Sequence, residues 1–292
     1  MSEHAAVELS PEAIEFADFM TGFATPESEL DATRTRVESG RWTRVACWES
    51  GANRSTPIPT TSSCTVTPGA PFCRRRSSTG SSPAHIAKAA GAPVLVLDFR
   101  RAPEHKYPAQ VDDAEAAFNW LLSEGYEPGN IITIGHSIGG FIAVALALRL
   151  RDKKQPLPGA IVSISPWCDL EIANETMVTN AGTDKILSKD LLEFFRESWV
   201  GGTGIDFTDA RINLNRADLS GLPPTLVSWG TYEVLAGEDE EFAARVKDAG
   251  IDTTTVVVPG GQHSYVYGAG RIPETDAAIA QIGAWVREKT KI

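Results

Sequence analysis

The stretch Ile131-Ile132-Thr133-Ile134-Gly135-His136-Ser137-Ile138-Gly139-Gly140 runs directly into the Ala- and Leu-rich residues 141–150. A short β-branched run, a GxSxG turn and a helix-forming run, in that order, predict a nucleophile elbow: a serine held on a strained turn between strand and helix. The strain explains the glycines. Gly135 and Gly139 flank the serine two positions away on either side and must lack side chains for the turn to close. Ser137 Oγ is then exposed, and the backbone N–H of Ile138 stands at a helix N-terminus, where it can hold an oxyanion. GxSxG alone is a short pattern that Gly- and Ser-rich loops also satisfy. Its weight depends on whether the chain supplies a base, an acid and a sheet around it.

With 292 residues, 42% of them hydrophobic, the chain can bury a full core. A formal net charge of −11 argues against nucleic acid and anionic membrane as partners. Met1-Ser2-Glu3-His4 carries no basic or apolar leader pattern, and no apolar run reaches the roughly 18 residues of a membrane span, so a cytoplasmic protein is expected. The four cysteines, Cys47, Cys64, Cys73 and Cys168, show neither CxxC pairing nor histidines at zinc spacing; no metal and no cofactor are expected.

Residues 1–45 predict N-terminal helices, with Ile14, Phe16, Phe19, Met20 and Phe23 forming an apolar face that covers something. Residues 46–83 are anomalous. From 50 to 83 they are mostly Ser, Thr, Pro and Arg, without Leu, Lys, Asp or Glu, and prolines 57, 59, 68 and 71 oppose both helix and central strand. The composition is that of a linker, yet it falls where an α/β sheet needs its early strands. From residue 84 strand and helix patterns alternate. Val94-Leu95-Val96-Leu97 and residues 131–134, 160–165, 225–229 and 253–258 read as buried strands, with helices between and after them. That alternation predicts an α/β fold with a mostly parallel, doubly wound sheet over 84–169 and 220–292, and residues 170–219 as a helical insertion above the strand ends.

A serine hydroxyl needs a general base, in practice a histidine. Of five histidines, His4 lies at the terminus, His85 and His105 precede the elbow, and His136 is inside it and must point away. His263 remains, in a Gly-rich loop after a predicted strand, at the strand ends where open α/β sheets place their sites. The imidazole needs a carboxylate on another strand end. Glu233, four residues past the strand at 225–229, fits; Asp239 is the runner-up, within an acidic helix start that includes Glu238, Glu240 and Glu241. The order Ser, acid, His is that of an α/β hydrolase.

Further blocks carry a resemblance. Asp98-Phe99-Arg100-Arg101-Ala102-Pro103-Glu104-His105-Lys106-Tyr107-Pro108-Ala109, then Asp112-Asp113 and Trp120, Ser165-Pro166-Trp167-Cys168-Asp169-Leu170 and Leu222-Pro223-Pro224-Thr225, resemble blocks of the hormone-sensitive-lipase-like, bacterial family IV esterases. The resemblance implies an α/β-hydrolase fold, a helical cap built from the N-terminal helices and the insertion, and a triad of Ser137, Glu233 and His263, with Glu where many members have Asp. It also implies an HGGG oxyanion motif about seventy residues before the serine, and this sequence has none. Its place falls near Pro68-Gly69-Ala70-Pro71, leaving Gly69 as the candidate donor beside Ile138. Losing one oxyanion donor costs about a hundred- to a thousandfold in rate. Two accounts of the anomaly compete: an out-of-frame reading of a GC-rich gene between about residues 47 and 83, or a genuinely diverged, weakened hydrolase.

The expected function is hydrolysis of carboxylic esters with small or short-chain acyl groups through an acyl-enzyme. One alternative follows from the GHSIGG elbow, which resembles actinomycete acetylhydrolases that unmask N-acetylated antibiotic intermediates such as bialaphos. Another is a hydrolase-derived ligand-binding protein, suggested by the missing HGGG. The expected partner is a small acyl ester or N-acetyl compound, with a homodimer left open as the assembly. Phe16, Phe19, Phe23, Phe194, Phe195 and Trp199 are read first as packing and second as an acyl pocket.

Overall fold

The computed structural model describes residues 33–35, 45–47, 62–66, 81–92, 94–97 and 99–290. In chain order its elements are β1 (Thr33–Thr35), β2 (Val45–Cys47), β3 (Ser62–Val66), α1 (Ser81–Ala90), β4 (Val94–Leu97), α2 (Ala109–Ser123), β5 (Ile131–His136) and α3 (Ile138–Asp152). There follow β6 (Ala160–Ile164), α4 (Thr176–Thr179), α5 (Lys189–Val200), β7 (Thr225–Gly230), α6 (Ala236–Asp248), β8 (Thr253–Val258) and α7 (Pro273–Thr290). The strands form one sheet in the order β1-β2-β4-β3-β5-β6-β7-β8. β2 is antiparallel to β1 and β4, and β3 through β8 pair in parallel.

β5, β6 and β7 are buried at every residue, as their largely apolar and β-branched runs require of strands covered on both faces. Side chains alternate between two layers. Ile131, Ile161 and Val227 face the core shared with Phe118 of α2, Phe141 and Leu146 of α3 and Phe242 of α6. Ile132, Ile134, Val162 and Leu226 face the opposite core, with Ile86 of α1 and Ile282 of α7.

Two expectations are corrected, and the stretch 46–83, linker-like in composition but lying where early strands are needed, is found to hold a strand. Residues 33–35 form a strand rather than helix, two of the three being β-branched threonines, while residues 1–32, with Phe16, Phe19 and Phe23, lie outside the described residues. The linker-like stretch 46–83 contains a central strand. β3 pairs with β4 (Val66↔Leu97) and β5 (Val66↔Gly135), and its five residues fit between Pro59 and Pro68, so the prolines flank the strand instead of breaking it. The insertion at 170–219 is less helical than expected: it has the four-residue α4 and the twelve-residue α5, joined by turns.

Insertion and core are tied through the motif block after β4. The Arg100 guanidinium bonds the Asp113 carboxylate at 2.9 Å. Gln110 donates to the carbonyls of Arg100 and His105 and accepts from Trp199 Nε1 of α5 at 2.9 Å. Trp199 is buried against Tyr107 and Phe141, so it serves as packing. Phe194 is exposed.

Candidate active site

The strand β5 ends at His136 and the helix α3 begins at Ile138, leaving Ser137 alone on the turn. Its backbone has φ 57° and ψ −126°, a region that non-glycine residues occupy only under constraint. The constraint is visible in the glycines. A Cβ on Gly135 would overlap the carbonyl of Gly139, so strand and helix approach closely only because residue 135 has no side chain. The Ser137 N–H donates to Ile164 O at 2.9 Å, and its carbonyl accepts from Gly140 N and Trp167 N, at 2.9 Å and 3.3 Å, pinning the turn to the end of β6.

Ser137 Oγ lies 3.0 Å from His263 Nε2, and His263 Nδ1 lies 2.8 Å from Glu233 Oε2. Ser137 is half-buried while Glu233 and His263 are buried, so the open end of this line is the serine. With Nδ1–H donated to Glu233, Nε2 is left to accept the serine proton. The other carboxylate oxygen, Oε1, accepts from Ser165 Oγ at 2.7 Å and from Gly230 N at 2.5 Å. The loops bearing acid and base are joined backbone to backbone: Thr231 N donates to Val258 O at 3.0 Å and Tyr232 N to Gly261 O at 3.1 Å.

The runner-up acid is placed elsewhere. Asp239 is fully buried beside the Cys168 thiol, with Oδ2 lacking a hydrogen-bond partner. Burial, then the charges of Glu233 and Glu238, pushes its carboxyl well above the ordinary range. Glu238 is buried too and accepts from Cys168 N at 2.8 Å; burial, followed by the charge of Asp169, raises it well above its ordinary value. These two acids are therefore core groups, not an exposed helix start.

Of the remaining histidines, His4 lies outside the described residues and His105 is exposed. His85 is half-buried on α1, its pKa lowered by burial. His136 is buried with neither ring nitrogen partnered, its ring centroid 5.1 Å from that of His263 and 5.5 Å from that of Tyr267. Burial, then the proximity of His263, holds it well below the ordinary histidine pKa, so it stays neutral.

The Ile138 N–H belongs to the first turn of a fifteen-residue helix, whose leading amides have no intrahelical acceptor. Gly69 lies outside the described residues. The register Val66↔Gly135 brings the C-terminal end of β3, three residues before Gly69, level with the elbow. Among the described residues no group of three or more His, Cys, Asp or Glu is placed to hold a metal ion. No described helix is long and apolar enough to cross a membrane.

A mostly parallel sheet with a serine on a strand-to-helix turn and an acid and a histidine on two later strand ends is the arrangement of an α/β hydrolase. The chain belongs to the α/β-hydrolase fold family, whose model matches residues 72–267, starting inside the Ser/Thr/Pro/Arg-rich stretch. It is 36% identical over 205 residues to an acetyl-hydrolase of Streptomyces hygroscopicus, covering 70% of this chain and 68% of the relative. It is 32% identical over 209 residues to the esterase LipU of Mycobacterium tuberculosis, covering 70% of each. Among solved structures it resembles an esterase from the bacterial hormone-sensitive lipase (HSL) family, with a TM-score of 0.83, 31% identity, and coverage of 97% of this chain and 100% of that one.

Proposed function

We propose that this chain is a carboxylic ester hydrolase that cleaves small or short-chain acyl esters through an acyl-enzyme formed on Ser137. The observation that carries this is the continuous line Ser137 Oγ, His263 Nε2, His263 Nδ1 and Glu233 Oε2, with steps of 3.0 Å and 2.8 Å. In the first half-reaction Ser137 Oγ bonds to the ester carbonyl carbon as its proton passes to Nε2. The tetrahedral intermediate then expels the alcohol, which takes that proton from the imidazolium. Water repeats the sequence on the acyl-serine and releases the acid. Glu233 fixes the imidazole and stabilises its charged form. The N–H of Ile138 holds the oxyanion, and Gly69 remains the candidate for the second donor.

The names of the relatives, acetyl-hydrolase and esterase, support the class and a short acyl group, and favour an enzyme over a binding protein without turnover. The test is a stopped-flow burst of p-nitrophenol from p-nitrophenyl acetate, together with fluorophosphonate labelling. Both are expected in the wild type and absent in Ser137→Ala; a full burst in that variant would overturn the assignment. Peptide mapping of the native protein across residues 47–83 accompanies it, and recovery of the written peptides there would sink the out-of-frame account. A cytoplasmic location and a homodimer belong to the same proposal, tested by cell fractionation and gel filtration.

A further inference from the structure

One short turn of the insertion, residues 180–185, touches both loops that carry the proposed acid and base. Asn180 spends both amide hydrogens on the acid loop, donating to Thr231 O at 3.0 Å and to Glu233 O at 2.8 Å. The Thr183 hydroxyl is shared between Tyr232 O at 3.2 Å and Asn180 O of its own turn at 3.0 Å. The buried carboxylate of Asp184 accepts from Val234 N at 2.9 Å with one oxygen and, with the other, closes its own turn by accepting from Ile186 N at 2.8 Å and Leu187 N at 2.9 Å. The peptides on both sides of Glu233 are therefore held from the insertion. The same turn holds the base loop through Gln262, the residue before His263. Gln262 Nε2 donates to Thr183 O at 2.9 Å and its Oε1 accepts from Lys185 N at 2.8 Å.

Resting on the ester-hydrolase proposal above, we infer that residues 180–185 are a latch that sets the Glu233–His263 geometry, with Asn180, Thr183, Asp184 and Gln262 as positioning residues. None of them lies on the Ser137–His263–Glu233 line; each acts through a backbone group of an acid-loop residue or through the chain beside His263. A misplacement of about 1 Å at such a site costs on the order of a hundredfold. The latch also gives the insertion a fixed edge: lifting it along residues 180–185 would pull acid and base apart.

The test compares Asn180→Ala and Thr183→Val with the wild type and with Arg211→Ala, which alters the same insertion at a side chain bonded to Asp209. Asn180→Ala is expected to lower kcat for p-nitrophenyl acetate at least tenfold with KM held within twofold, and to slow fluorophosphonate labelling of Ser137 by the same factor. Thr183→Val, a near-isosteric change that removes the hydroxyl shared between Tyr232 O and Asn180 O, is expected to show a smaller loss of the same kind, and Arg211→Ala none. A merely structural role would lower Tm and leave kcat and the labelling rate intact below the transition. Folded Asn180→Ala with wild-type kcat overturns the inference, and if that variant does not fold, wild-type kcat in Thr183→Val does so. A wild type without burst or labelling is a different result: it removes the ester-hydrolase proposal, and the latch with it.

Discussion

Ser165 Oγ donates to Glu233 Oε1 across 2.7 Å, while Oε2 of the same carboxylate faces His263 Nδ1. The two oxygens thus have separate tasks, one anchored to the end of β6 and one presented to the imidazole. Ser165 is held at φ 41° directly after β6, so this anchor is built into the strand end.

Removing the anchor should show in turnover. Hydrogen bonds to charged groups contribute about 1.5–3 kcal/mol, or roughly tenfold to a hundredfold. Ser165→Ala is expected to lower kcat for p-nitrophenyl acetate by at least about tenfold, measured alongside a melting curve that shows the variant folded.

Glu233→Gln keeps the size of the side chain but offers His263 an amide that can favour the wrong tautomer. By the general logic of such triads, kcat should fall by on the order of 10⁴. Glu233→Asp keeps the charge and should retain more activity than Glu233→Gln; steady-state kinetics on the pair separates charge from reach.

Gly135→Ala would place a methyl group against the Gly139 carbonyl, where both partners are backbone. The elbow would have to open. The expected outcome is a loss of at least about 3 kcal/mol in urea unfolding, at the upper end of overpacking costs, and no labelling of Ser137 by fluorophosphonate.

Glu238 binds its proton more tightly folded than unfolded, because burial raises its carboxyl. An unfolded glutamate ionises near pH 4.3. Stability contributed by the bound proton is present below that value and is lost as pH rises toward the folded value. Glu238→Gln, which can keep the acceptor for Cys168 N, should flatten the fall in urea midpoint between pH 5 and pH 8.

His136 works in the opposite sense. Its folded pKa is depressed, so below about pH 6.5 the unfolded chain takes up a proton that the folded chain refuses, and stability falls as pH falls. His136→Phe removes this titration. Urea midpoints from pH 7 down to 5 should decline less in the variant than in the wild type.

The positions of Ser137 on the elbow and of Glu233 and His263 just past β7 and β8 were legible, from a glycine-framed turn, from apolar strands and, for His263, from elimination among five histidines. β5, β6 and β7 were legible from their apolar runs. Ser62–Val66 was not, because a window of small and β-branched residues becomes a central strand only through its pairing with β4 and β5. The burial of Glu238 and Asp239 was also hidden: an acidic first helical turn has the same composition whether it faces water or the Cys168 backbone. The bonds from residues 180–185 join segments about fifty to eighty positions apart, and Asn, Thr, Asp and Gln carry no periodic signal.

The place of β3 in the sheet also bears on how the chain is made. Its two neighbours, Val94–Leu97 and Ile131–His136, both come later in the sequence. During synthesis this segment emerges before either neighbour, and one of its edges stays unpaired until the ribosome has delivered the strand that ends at the elbow. Closing such a non-local sheet is slow. Until then residues 62–66 present an open strand edge, the feature of a β-sheet most prone to pair with another chain.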